Sequence, residues 1–165
     1  MRLKSRALLI GLAAIALAAP VTGQKPDDQI APKSIELQKD GEALFGQGKF
    51  DEATDALETA LAVDPRNRAA FVALARVAEK EKLFGKAIRL TNKALLLEPN
   101  DLNAIAVQGE AMVELGAKAK AQANLQKLKT LCPQGCEQLT QLSQAVTRGP
   151  TVAAATKPAP KTKAD

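Results

Sequence analysis

Residues 65–99 read PRNRAAFVALARVAEKEKLFGKAIRLTNKALLLEP. The stretch begins and ends on proline, and Pro65, Pro99 and Pro133 lie 34 residues apart, twice. Other columns repeat at the same offset. Ala53, Ala87 and Ala121 align, as do Ala60, Ala94 and Leu128. So do Gly41, Ala75 and Gly109, then Leu37, Phe71 and Ile105, then Leu44, Ala78 and Met112, then Val63, Leu97 and Leu131. Phe50 and Phe84 align, with Lys118 in the third place. Self-similarity at a fixed period of this length is the signature of a stacked-repeat architecture.

Each period carries two amphipathic helical patterns. In the first, 34–47 places Leu37, Gly41 and Leu44 on one stripe, and 50–63 does the same with Phe50, Ala53, Leu57, Ala60 and Leu61; recurrence at three and four residues is helical spacing. Gly48 divides the two, and Asp64-Pro65 stops the second, because proline lacks a donor and restricts the residue before it. The later periods predict helices over 68–81, 84–97, 102–115 and 118–131, the last pair divided by Gly116. Small residues in the Gly41, Ala53 and Ala60 columns let antiparallel helices approach closely.

These residues resemble the tetratricopeptide-repeat (TPR) family. In the second period its pattern is met by Phe71, Leu74, Ala75, Ala78, Phe84, Ala87, Ala94, Leu95 and Pro99. The first and third meet it less completely: Asp40 and Gln108 stand where the family has Leu, and Lys118 and Lys129 where apolar residues are common. The outer repeats are therefore expected to be looser than the middle one. Leu139, Leu142, Ser143 and Val146 continue the register into a last helix, polar on its other face at Glu137, Gln138, Thr140, Gln141 and Gln144. A solenoid needs such a cap at its end. The predicted fold is all-α, a solenoid of three TPR helix pairs (34–67, 68–101, 102–135) closed by a capping helix at 136–148.

The resemblance implies a concave groove lined by the first helix of each repeat. Carried over by register, the candidate lining is Ile35, Gln38, Glu42 and Phe45 from repeat 1, with Ala69, Val72, Arg76, Glu79 and Lys80 from repeat 2. Repeat 3 supplies Asn103, Ala106, Glu110, Val113 and Glu114. An extended peptide or partner helix suits such a lining. Some family members clamp a chaperone's C-terminal carboxylate with Lys, Asn and Arg. Here the corresponding places hold Gln38, Glu42, Ala73, Asn103 and Val107, so that clamp is not expected.

Composition removes several chemistries. The chain of 165 residues has no His, Trp or Tyr. That excludes a Ser-His-Asp triad and an imidazole metal ligand, and leaves few platforms for base stacking. No phosphate loop, paired catalytic carboxylates or nucleophile motif appears, so neither an enzyme nor a cofactor is expected. Cys132 and Cys136 flank Pro133-Gln134-Gly135. They read as a structural disulfide at the foot of the cap, contributing roughly 2 kcal/mol through so short a loop. A redox-responsive dithiol gating the cap is the alternative.

Arg2, Lys4 and Arg6 precede the apolar run Ala7–Ala19, which Pro20 breaks. This three-part pattern predicts a cleaved secretory signal over 1–23, hence a periplasmic or secreted protein of bacterial type. A retained anchor, and with it a membrane-bound accessory subunit of an envelope enzyme complex, is the alternative, although 13 apolar residues span only about 20 Å of a roughly 30 Å hydrocarbon core. Residues 24–33 read as a linker, and 149–165 as a disordered Ala/Pro/Lys-rich tail.

The net charge of +5 then resolves into parts. Residues 24–148 hold 17 positive and 17 negative side chains, with repeat 1 at −5, repeat 2 at +3 and repeat 3 at +2. A neutral solenoid with a charge gradient points to protein partners and away from nucleic acid. The expected function is a non-enzymatic interaction scaffold of the cell envelope.

Overall fold

The computed structural model describes residues 29–151. The expected signal segment, most of the linker and the tail beyond Thr151 lie outside the described residues. Seven helices make up the described part: α1 Pro32–Gly46, α2 Phe50–Val63, α3 Arg68–Lys80, α4 Phe84–Leu97, α5 Leu102–Glu114, α6 Lys118–Leu131 and α7 Glu137–Arg148. Each of Pro65, Pro99 and Pro133 lies two residues beyond a helix end. The residues before the first two, Asp64 and Glu98, are extended, with ψ of 104° and 98°, the conformation that a following proline imposes. The expected linker is shorter than 24–33, because Pro32 and Lys33 belong to α1. Proline is tolerated in a first helical turn, where its missing N–H has no partner to lose.

Consecutive helices pack as antiparallel pairs, and α1 also meets α3, α3 meets α5, and α5 meets α7. The result is two layers: α1, α3, α5 and α7 inside, α2, α4 and α6 outside. The small-residue columns are where the layers touch. Ala53, Ala87, Ala121, Ala60, Ala94 and Ala75 all have 0% exposure, so none has room for a larger side chain. No helix among the described residues is long and apolar enough to cross a membrane.

Polar side chains fasten the repeats together. Asn67 caps α3 by accepting from the Ala70 N–H at 3.1 Å, and its amide donates to Ser34 Oγ at 3.0 Å. Ser34 in turn donates to the Ala60 carbonyl at 2.7 Å. One period later Asp101 caps α5 at the Ala104 N–H and pairs with Arg68. Asp64 accepts from the Ala31 N–H and from Arg66, whose guanidinium holds its carboxyl down at about 2.

The expected looseness of repeat 3 does not extend to α5, which buries eight residues, as many as α3. Gln108 occupies the place where the family has Leu, yet it is satisfied. It donates to Asn92 Oδ1 at 2.6 Å and accepts from Asn124 Nδ2 at 3.0 Å, linking α4, α5 and α6. A buried amide with both ends bonded costs little.

The turn inside each pair follows one geometry. Gly48, Lys82 and Gly116 stand at equivalent positions with φ of 77°, 62° and 73°. The residue after each donates back five residues, Lys49 to Leu44, Leu83 to Ala78 and Ala117 to Met112. This is the left-handed helix stop that glycine adopts without strain. Lys82 is the non-glycine member, and its Cβ is crowded there. Lys82→Gly is therefore expected to stabilise the chain by about 0.5–1 kcal/mol. Urea denaturation checks this; an unchanged or lowered midpoint would contradict it.

Candidate functional site

The inner layer encloses a groove of about 670 Å³ between Phe45 of α1, Arg76, Glu79 and Lys80 of α3, Asn103, Val107, Glu110 and Glu114 of α5, and the cap. A second compartment of about 280 Å³, between Glu42, Ala69, Val72 and Ala73, adjoins it and shares Phe45, Arg76 and Asn103 with it. Phe45, Val72 and Val107 provide apolar surface, and charged side chains surround them. Phe45 is steadied by the Phe50 ring, 5.8 Å away between centroids.

Ten of the fourteen register-predicted groove residues line these compartments: Glu42, Phe45, Ala69, Val72, Arg76, Glu79, Lys80, Asn103, Glu110 and Glu114. Gln38 is not among them; it donates to Glu42 Oε1 on the exposed side of α1. Ile35 also lines neither compartment. Ala106 and Val113 are a correction, being only 1% and 2% exposed. They pack in clusters with Leu142 and Ala145, because α7 lies against α5 as a fourth inner helix and covers them.

The cap supplies lining that the carry-over omitted. Glu137, Gln138, Gln141 and Arg148 form the end wall, with Thr151 beyond them. Glu137, Gln141 and Arg148 are the 34-residue successors of Asn103, Val107 and Glu114, a register that does not itself say that α7 closes the groove. Lys82 and Phe84, at the turn of repeat 2, complete the rim.

Asn103 ties the wall together. Its Oδ1 accepts from Arg76 Nη2 at 3.3 Å and from Gln138 Nε2 at 2.9 Å, so α3, α5 and α7 meet at one oxygen. Glu114 accepts from both the N–H and the hydroxyl of Thr151, each at 2.8 Å, and Arg148 lies 3.8 Å away. Glu79 and Glu110 have no hydrogen bond or ion pair among the described residues. Burial pushes the Glu79 carboxyl up to about 8, aided by Glu110 and Glu114 and opposed by Arg76 and Lys80. Burial likewise raises Glu110, opposed by Arg76, Arg148 and Lys80.

A pH dependence follows. Below about 4.5 Glu79 is protonated in both the folded and the unfolded chain. Between there and about 8 the unfolded chain releases the proton while the folded chain keeps it, so stability falls as pH rises. Asp64 acts oppositely: its contribution is present above 3.8 and is lost as pH falls toward about 2. Glu79→Gln is expected to flatten the neutral-side fall and leave the acid-side loss intact. Urea titrations across this range check it, and an equal slope in the variant and the parent chain would contradict it.

Among the described residues no group of three or more His, Cys, Asp and Glu is placed to hold a metal ion.

The sequence model described as tetratricopeptide repeat matches residues 44–109. The first TPR domain of human RPAP3 is 27% identical and aligns over 70% of this chain and 94% of that one, with a TM-score of 0.63. The first TPR of Spaghetti (RPAP3), bound to the HSP90 peptide SRMEEVD, is 28% identical over 70% of this chain and 96% of that one, also at 0.63. The Sgt2 TPR domain from Aspergillus fumigatus reaches a TM-score of 0.66 at 19% identity, over 72% and 79% of the two chains. No curated protein matches the chain. Residues 44–109 thus match the tetratricopeptide repeat, and the described residues have the TPR fold, an all-α solenoid of three helix pairs and a cap.

Proposed function

We propose that this chain is a non-enzymatic scaffold that takes an extended segment of a partner protein in the groove formed by α1, α3, α5 and α7. The observation that carries this is the groove itself, which joins small apolar spots at Phe45, Val72 and Val107 to a lining of charged side chains and amides. Such a lining suits a peptide, whose backbone and side chains need both. The similar Spaghetti domain holds a peptide. The peptide on that relative ends in EEVD. Here an acidic segment would meet Glu42, Glu79 and Glu110 together with Arg76, Lys80, Lys82 and Arg148, so the groove is not built to select an acidic tail. The N-terminal pattern supports action in a bacterial cell envelope after export.

The test is affinity capture from envelope extract with the parent chain and a Phe45→Ala/Arg76→Glu variant, whose helical circular dichroism is checked against the parent. The parent is expected to retain a stoichiometric partner and the variant to lose it. Equal retention would overturn the groove reading. Fractionation checks export, and recovery of full-length chain in the cytoplasm would overturn that part.

A second reading, in which reduction of the disulfide releases the cap, is favoured by its position. The bond joins Cys132 and Cys136 between α6 and α7, so it tethers the groove's end wall to the third pair. Cys132→Ser/Cys136→Ser is expected to cost at most about 2 kcal/mol. A loss of partner capture beyond that modest destabilisation supports gating, and unchanged capture excludes it.

A further inference from the structure

The chain does not run away from the groove where the description ends. It leaves α7 at Gly149, and by Thr151 it is back in the lining, held by two hydrogen bonds to Glu114 of α5. Beyond it lie 14 residues, VAAATKPAPKTKAD, with three lysines and one acid, the last residue. Within the same groove Glu79 and Glu110 face the space without an ion pair among the described residues. The nearby basic side chains act on them through space and without contact: Arg76 is bonded to Asn103, Arg148 stands beside Glu114, and Lys80 adds a coulombic pull on both.

We infer that residues 152–165 dock in this chain's own groove, with a lysine seated between Glu79 and Glu110, so that a partner must displace the tail. Reach permits it. Lys157 is six residue steps beyond Thr151, roughly 20 Å when extended. The side chains between them are small, and Pro158 and Pro160 reduce the freedom lost on docking. Charge agrees, because a desolvated carboxylate pair gains most from an ammonium that arrives without counter-charge of its own. The raised carboxyls of Glu79 and Glu110 describe the groove before that arrival. Tethering supplies a high effective concentration, so weak contacts suffice. Arg76, Lys80, Lys82 and Arg148 line the same groove and keep the contact weak enough to be displaced.

This inference rests on the groove reading above. The test is zero-length carbodiimide cross-linking of the full chain, mapped by mass spectrometry. The expected product is an isopeptide bond from Lys157, Lys161 or Lys163 to Glu79 or Glu110, within monomers, at a yield unchanged by dilution and reduced by high salt. Links only between molecules would mean that a second copy docks, and would overturn the inference. Links to the groove carboxylates from Lys80 or Lys82 but none from the tail would also overturn it. In a second arm, a synthetic peptide of residues 152–165 is added to the full chain and to K157Q/K161Q/K163Q. The variant is expected to bind it about fivefold more tightly, because its groove is vacant more often. Equal affinity would overturn the inference. If it fails while Phe45→Ala/Arg76→Glu still abolishes capture, the groove reading stands without the tail.

Discussion

Leu142→Ala is expected to lower the unfolding free energy by about 3 kcal/mol, within the 2–5 kcal/mol that such deletions cost in a packed core. Leu142 has 0% exposure and packs with Ile105, Ala106 and Leu128. Its branch atoms occupy the space over Gly109. Truncation leaves a cavity that α5 has no side chain to fill. The loss falls first on α7, since an end element of a solenoid has a neighbour on one side only. Opening α7 would expose Ala106 and Val113 and remove Gln138, Gln141 and Arg148 from the groove. The tether at Cys132–Cys136 holds only the start of the helix. Denaturant unfolding measures the total, and hydrogen exchange shows whether α7 opens before α3. A loss below about 1 kcal/mol, or uniform exchange along the chain, would contradict this account.

Gly41→Ala is the second large effect, and its sign is decided by two opposing magnitudes. Alanine in a helix interior gains about 1 kcal/mol over glycine. A Cβ at Gly41, however, would stand 2.5 Å from Leu57 Cγ, 2.9 Å from Leu57 Cδ2 and 3.2 Å from the Ala53 carbonyl oxygen. Leu57 has 0% exposure, and the contact is with its branching carbon as well as a methyl, so a rotamer change does not clear it. Overpacking of this kind costs 1–3 kcal/mol, and α1 and α2 must separate. The expected net is a destabilisation of up to about 2 kcal/mol. Gly85→Ala on α4 is the control of opposite sign, because its Cβ meets only the end of Arg89, at 3.7 Å. It is expected to stabilise by about 0.5–1 kcal/mol. If both substitutions stabilise, close approach at Gly41 is not what holds the first pair together.

The contrast between these glycines shows where sequence reasoning reaches and where it stops. Gly41 and Gly109 were legible as close-approach positions because they recur at 34 residues with Ala75 between them. Gly85 has no such column, and its surroundings are open. The groove was legible wherever the register of a first helix could be carried over, as for Phe45, Val72, Arg76 and Glu79. It failed at Ala106 and Val113, because nothing in repeat 3 says that another helix will lie on top of it. It failed again at Glu137, Gln138 and Gln141. Polar residues on a capping helix look alike whether they face water or the end of a groove, since both need hydrogen-bonding partners. Gln108 is the same problem in the core: its partners Asn92 and Asn124 belong to two other helices, and no local pattern pairs them.

By itself, then, the sequence determined the period, the helix ends, the small-residue seams and the presence of a cap. All of these follow from short-range rules: proline and left-handed stops, helical spacing and residue volume. Tertiary structure alone decided that α7 is a wall of the groove as well as a lid on the core. It decided that Glu79 and Glu110 share a half-buried space, and that Thr151 returns to Glu114. Those are relations between side chains some thirty or more residues apart, set by how four inner helices pack against one another, and burial and charge coupling exist only once they have packed.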